Sequence, residues 1–132
     1  MKRYLLDTNT VSQIFRRNEA VLGRLQAVPI PSLCISAITK AEICFGLARR
    51  PDAKKLHELA AGFLRRCDVL AWNDAIAVVY GPLRADLQAR GKVLSPVDTL
   101  IAAHARALDA VLVSSDRAFQ QVPGLQLQDW TS

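Results

Sequence analysis

The stretch Arg3-Tyr-Leu-Leu-Asp-Thr-Asn-Thr10, or RYLLDTNT, decides the fold. Its first half has the character of a buried strand, and the apolar run ends abruptly on an acid followed by three small polar residues. A carboxylate at the tip of a buried strand is costly unless something compensates its charge. The sequence therefore raises the question of what Asp7 faces.

The rest of the chain alternates apolar strands with helices. Strands are predicted at 3–6, 32–35, 68–71 and 110–113, with an edge strand in the alternating tail at 124–130. Helical periodicity and Pro or Gly breaks predict helices at 9–16, 18–27, 36–49, 52–66, 73–90 and 95–108. Strands separated by helices predict an α/β fold, a three-layer α/β/α sandwich around a central, mainly parallel sheet.

Composition limits the class of protein. The 132 residues suit one domain, spanning 1–132, and 51% hydrophobic with 22% charged residues predicts a compact globular chain. The formal charge of +5 permits a polyanionic partner. Three cysteines without a CxxC motif, no membrane-length apolar run and no secretory signal predict a cytoplasmic protein with reduced thiols.

Four of the twelve acids fall where a parallel sheet places its binding crevice, beyond the carboxyl ends of the strands. Asp7 ends the first strand, Glu42 lies in the helix after the second, Asp98 lies in the first turn of the helix that begins at Ser95, and Asp116 follows the fourth strand. The other eight are expected to be solvated: Glu19, Asp52, Glu58, Asp68, Asp74, Asp86, Asp109 and Asp129.

Each of the four acids also has an ordinary structural explanation. Asp7 and Asp116 can cap the turns that follow them, Thr39 and Glu42 have capping-box spacing, and Asp98 is the third residue of a well-formed helix start. Together, however, four acids at one edge repel each other, and a divalent cation would compensate them. Oxygen ligands alone favour Mg²⁺ or Mn²⁺.

Other chemistries find little support. His57 and His104 are isolated, so zinc is not expected, and His104 is predicted to be a core residue. The chain has no GxGxxG, P-loop or GxSxG motif. An aspartyl-phosphate phosphatase would need a second acid two residues after Asp7, where Asn9 stands.

Five segments carry a resemblance to a known family. They are LLDTNTV at 5–11, ISAITKAEICFGL at 35–47, SPVDTLIAAHA at 95–105, AVLVSSDRAF at 110–119 and PGLQLQDW at 123–130. In this order they resemble the PIN-domain family, and within it the VapC-type toxins of bacterial toxin–antitoxin pairs.

The resemblance implies a set of site residues in a metal-dependent ribonuclease. Asp7, Glu42, Asp98 and Asp116 match the family's acidic residues; of these, Asp7, Asp98 and Asp116 are the expected ligands of Mg²⁺ or Mn²⁺. Asn9 and Ser114 match supporting polar positions. Ser114-Ser115 stands where the family usually has Thr-Asn, which leaves the role of Ser115 open.

The implied function is that of a toxin that cleaves a structured RNA, such as initiator transfer RNA at its anticodon loop, and so inhibits translation. The alternative is a non-catalytic binding module on the same scaffold. Metal-dependent RNA cleavage separates the two. Basic residues expected to contact RNA phosphates are Arg16, Arg17, Arg49, Arg50, Lys92 and Arg117.

The resemblance also implies partners. A small antitoxin is expected near the site, together with a homodimer and a higher toxin–antitoxin assembly, but no membrane. Apolar side chains of the first two helices are expected to offer it a groove: Val11, Ile14, Phe15, Val21, Leu22 and Leu25. An antitoxin arginine is expected to reach toward Asp7, Asp98 and Asp116, because a guanidinium binds carboxylates bidentately.

Overall fold

The computed structural model describes all 132 residues. The strands are β1 (Tyr4–Leu6), β2 (Leu33–Ser36), β3 (Asp68–Leu70), β4 (Val111–Val113) and β5 (Gln126–Gln128). The α-helices are α1 (Thr8–Phe15), α2 (Glu19–Gln26), α3 (Ala37–Ala48), α4 (Lys54–Arg66), α5 (Asp74–Ala89) and α6 (Pro96–Leu108). Two 3-10 helices cover Ile30–Ser32 and Arg117–Gln121. None of the helices combines the length and apolar character that crossing a membrane requires.

The five strands form one sheet in the order β3-β2-β1-β4-β5, and every neighbouring pair is parallel. This confirms the predicted α/β class and the mainly parallel sheet. Strand β1 lies in the centre, with β2 on one side and β4 on the other. The order of strands therefore reverses beside β1, and such a switch point opens a crevice at the carboxyl ends of the strands.

Successive residues of β1 enter different cores, as the two-residue period of a strand requires. Leu5 packs in a cluster with Ile76 of α5 and Ile101 of α6. Leu6 packs in a second cluster with Val11 of α1 and Val21 of α2. Helices thus cover both faces of the sheet, which confirms the three-layer α/β/α sandwich.

The predicted element boundaries shift where Pro or Gly interrupts the chain. The second strand begins at Leu33 because Ser32 belongs to the preceding 3-10 helix, where its hydroxyl donates to the carbonyl of Pro29. The last strand covers only Gln126–Gln128, since Gly124 turns the chain with a φ of +74°. It is an edge strand, as predicted.

Candidate active site

Asp7 lies at the junction of β1, β4 and α1. Its backbone N–H donates to the carbonyl of Val113 at 3.1 Å, which holds the residue beside the end of β4. Its carboxylate accepts a hydrogen bond from the backbone N–H of Thr10 at 2.8 Å and so caps α1. Only 5% of the residue is exposed. The capping role predicted for Asp7 is therefore present, but it leaves a buried charge.

Burial is the main cause of a raised pKa for the Asp7 carboxyl. Hydrogen bonds from Ser114 and Thr10 oppose the shift, and repulsion from Asp98 adds to it. The net effect is a raised pKa of Asp7, so its hydrogen bonds do not fully compensate the burial of its charge.

Asp98 stands among the other three acids. It is the third residue of α6, where its backbone N–H donates to the Ser95 hydroxyl at 3.1 Å. Partial burial raises the pKa of its carboxyl; Ser95 opposes the rise, and repulsion from Asp116 and Glu42 increases it. Since Asp98 also repels Asp7, the four acids predicted from sequence share one electrostatic environment.

Glu42 lies on α3, and Asp116 precedes the second 3-10 helix. Glu42 is half-buried in the second turn of α3 and accepts a hydrogen bond from the Thr8 hydroxyl. Helix α3 is capped by Ser36, so Thr39 lies inside it and the capping-box interpretation of Glu42 is wrong. Asp116 accepts from the backbone N–H of Ala118 at 2.9 Å and caps the 3-10 helix, as predicted.

No cationic side chain compensates this group of acids. The ion pairs in the structure are Arg3–Asp68 and Arg90–Asp86, and neither involves the four. The eight acids expected to be solvated are all exposed. His104 is a buried core residue as predicted, and its Nδ1 lies 2.8 Å from the Ser36 hydroxyl.

The donor chemistry fits a hard divalent cation. The ligands that the four acids and their neighbours offer are carboxylate and hydroxyl oxygens. Two of the carboxyls, Asp7 and Asp98, have raised pKa values because they are buried and repelled by other carboxylates. No three His, Cys, Asp or Glu side chains stand close enough to form a ready metal cage. Mg²⁺ does not need one, since it keeps several waters and binds directly to only one or two carboxylates.

Small hydroxyl side chains support the acids. Ser114 is buried, accepts from the backbone N–H of Asp116 at 3.0 Å and lowers the pKa of Asp7 by hydrogen bonding. Thr10 bonds through its hydroxyl to the carbonyl of Val113 at 2.8 Å. Asn9 is exposed and its side chain makes no hydrogen bond, so its predicted support of a carboxylate is not observed. The roles of Thr8 and Thr10 were missed, although both lie in the opening polar run.

The Ser114-Ser115 pair offers a matched test of this support. We expect Ser114→Ala to weaken divalent-metal binding and RNA cleavage by about 10- to 100-fold, because loss of a hydrogen bond to a ligand changes its orientation and basicity. Ser115 is exposed, and Ser115→Ala should change both by less than about twofold. Metal titration and initial cleavage rates measure the two effects; equal behaviour of the two variants would contradict the assignment.

The predicted basic residues do not all lie together. Arg16, Arg49 and Arg50 line a groove of about 390 Å³ together with Thr8 and Glu42. Arg17 joins Arg16 and Arg50 around an adjoining depression. Lys92 lies elsewhere, where it lines a separate small cavity with Pro96. Arg117 is exposed and directly follows Asp116 in the chain. Arg16, Arg49 and Arg50 are therefore the three predicted basic residues that share a groove with an acid of the site.

An apolar groove of about 600 Å³ opens beside α1 and α2. Four of the six residues predicted for it line it: Ile14, Phe15, Leu22 and Leu25. Val11 and Val21 do not, because they point into the core and are only 1% and 0% exposed. The opposite wall comes from α4 through Leu59 and Phe63, which the sequence did not indicate.

Fold and site together define a class of protein. Residues 4–125 match the PIN-domain family, and the chain belongs to that family. Over 132 residues it is 30% identical to the tRNA(fMet)-specific endonuclease VapC of Shigella flexneri, covering 99% of this chain and 100% of that protein. It is 32% identical to ribonuclease VapC2 of Haemophilus influenzae strain Rd, covering 98% and 99%.

A solved structure shares the architecture. The DNA-bound VapBC of Salmonella typhimurium superposes with a TM-score of 0.91 at 30% identity, over 98% of this chain and 99% of that one. The match extends over essentially the whole chain.

Proposed function

We propose that this protein is a divalent-metal-dependent endoribonuclease that acts as the toxin of a toxin–antitoxin pair. One observation carries the proposal: Asp98 repels Asp7, Glu42 and Asp116 at the switch point of the sheet, and none of the four acids has a cationic partner. A purely structural role does not explain four such acids, since their repulsion destabilises the fold. Full-length similarity to VapC ribonucleases supports the same conclusion.

The chain's own residues suggest a division of roles. Asp7 and Asp98 would hold Mg²⁺ or Mn²⁺ directly or through water, with Asp116 as a further ligand and Glu42 completing the acidic cluster. When bound, such a cation lowers the pKa of water and stabilises the charge that develops on a phosphoryl group. A carboxylate of the cluster would accept the proton of the attacking water. The Thr8 hydroxyl, which donates to Glu42, and Ser114 would keep the carboxylates oriented.

The proposed substrate is a structured RNA such as initiator transfer RNA, cut at the anticodon loop. The Shigella relative bears the name of a tRNA(fMet)-specific endonuclease. The arginine-lined groove beside Glu42 suits a phosphate backbone, and its position would lead the strand to the acids. Such a substrate implies action in the cytoplasm, which agrees with three free cysteines.

The proposed partner is a small antitoxin, since the Salmonella structure is a VapBC complex. The groove between α1, α2 and α4 has the apolar lining that an amphipathic helix recognises. An arginine of that partner would reach the acids and compete with the metal. We also propose that two copies of the chain associate within the assembly, which makes a single domain of 1–132 the repeating unit.

Sequencing the ends of RNA fragments tests the proposed function. Purified protein is incubated with total transfer RNA and Mg²⁺, beside the Asp7→Asn variant and a chelator control. We expect a dominant new end in the anticodon loop of initiator transfer RNA with the wild type alone. The same fragments from Asp7→Asn would show a contaminating nuclease, and an absence of cleavage of any RNA would favour a non-catalytic binding module.

A further inference from the structure

Phe45 is an exposed aromatic residue beside the acids. It lies on α3 three positions after Glu42, so the two side chains share one face of the helix. The residue is 62% exposed, and the guanidinium of Arg49 covers its ring with the Arg49 Cζ 4.9 Å from the ring centroid. The ring and the guanidinium together place a cation against an aromatic face.

Folding does not explain this exposure. The other aromatic side chains form three ring pairs, Tyr4–Trp130, Phe15–Phe63 and Trp72–Tyr80, or are buried as Phe119 is. Phe45 is the aromatic residue that has neither a ring partner nor a buried position. A ring exposed in this way contributes little to the core, so folding leaves it available for contact with another molecule.

The charges around Phe45 indicate which kind of molecule would contact its ring. Arg16, Arg49 and Arg50 line the same groove, and none of them forms an ion pair. A second copy packed against this face would bring arginines against arginines, because a two-fold contact uses the same patch twice. A polyanion is favoured instead, and an aromatic ring among arginines is typical of surfaces that bind single-stranded nucleic acid.

We propose that Phe45 and Arg49 form a stacking platform for one unpaired base of the RNA substrate. Arg16 and Arg50 bind the phosphates on either side of that base, and Glu42 lines the same groove. This rests on the proposed ribonuclease function and adds a substrate requirement. Cleavage is restricted to unpaired segments, because the faces of a base inside a duplex are covered by its neighbours.

Direct binding tests the platform without cleavage. The Asp7→Asn protein is titrated with a short single-stranded RNA that carries 2-aminopurine, a base whose fluorescence falls on stacking. We expect Phe45→Leu to weaken binding by at least about fivefold and to remove the quenching, since stacking on an aromatic contributes about 1–3 kcal/mol per base. Phe45→Tyr keeps the ring and should retain both properties within about twofold. Val78→Ala, an exposed apolar site on α5, is the control.

The outcomes separate this inference from the proposed function. Unchanged affinity or unchanged quenching in Phe45→Leu would overturn the platform, even if the wild type cleaves RNA. A smaller mass in solution for Phe45→Leu, with RNA binding intact, would assign this face to self-association and would also overturn it. Loss of binding and quenching in Phe45→Leu supports the platform, and it does so whether or not the wild type cleaves.

Discussion

Asp7→Asn is expected to reduce RNA cleavage to below about one-hundredth of the wild-type rate, because a direct ligand should matter more than the hydrogen-bond partners of ligands. The protein should remain folded. An asparagine side chain keeps an oxygen that can accept the hydrogen bond from the Thr10 N–H, so the cap of α1 survives. Initial rates with a defined RNA in Mg²⁺ measure the loss; activity near that of the wild type would remove Asp7 from the site.

The same variant should show a distinctive dependence of stability on pH in the absence of metal. The pKa of Asp7 is raised in the folded protein, so the folded state binds its proton more tightly than the unfolded chain does. Wild-type stability therefore falls as the pH rises from about the ordinary value of 3.8 through the raised value. Asp7→Asn avoids this loss.

Thermal unfolding in a chelator measures that difference. The melting temperature of Asp7→Asn should equal or exceed that of the wild type at pH 7, and its advantage should shrink as the pH is lowered through this window. A variant that melts well below the wild type at pH 7 would show that the carboxylate stabilises the fold, and the cluster would then be structural.

Asp98→Asn is expected to have an effect of similar size on cleavage and to remove most of the stabilisation by divalent metal. Asp98 repels Asp7, Glu42 and Asp116, so its charge contributes most broadly to cation attraction. The wild type should melt at a higher temperature in Mn²⁺ than in chelator, because a ligand that binds only the folded state stabilises it.

Asp74→Asn is the matched control for this variant. Asp74 lies in the first turn of α5, as Asp98 lies in the first turn of α6, and it is exposed. Both substitutions remove one carboxylate near a helix N-terminus, so general effects of charge cancel. We expect the Mn²⁺ stabilisation to persist in Asp74→Asn and to be largely lost in Asp98→Asn; an equal response would mean that the metal effect is non-specific.

The positions of Asp7, Asp98 and Asp116 could be predicted because local rules fix them. Parallel strands end at one edge of a sheet, so residues that follow strands or open the next helix arrive there together. The position of Glu42 was harder to predict from local rules, because the start of α3 at the Ser36 cap and the distance of Glu42 along the helix decide which way it faces. The order of elements placed Glu42 only in the helix after the second strand, and the family resemblance supported its place in the site.

Contacts between distant segments were not predictable. The bond from Thr8 to Glu42 and the α4 wall of the apolar groove depend on how helices pack across 34 or more residues. Phe45 shows the same limit: helical periodicity predicts a helix at 36–49 but not which of its apolar residues is exposed, and the structure leaves Phe45 62% exposed beside three arginines.

Binding of Mn²⁺ tests the central claim most directly, because free Mn²⁺ gives an electron paramagnetic resonance signal that disappears on binding. The wild type, Asp7→Asn and Asp98→Asn are titrated without RNA at pH 7. The wild type should bind Mn²⁺ at a saturable site, and each variant should weaken that binding by at least about tenfold. Equal Mn²⁺ binding by all three proteins would contradict a metal site formed by these acids.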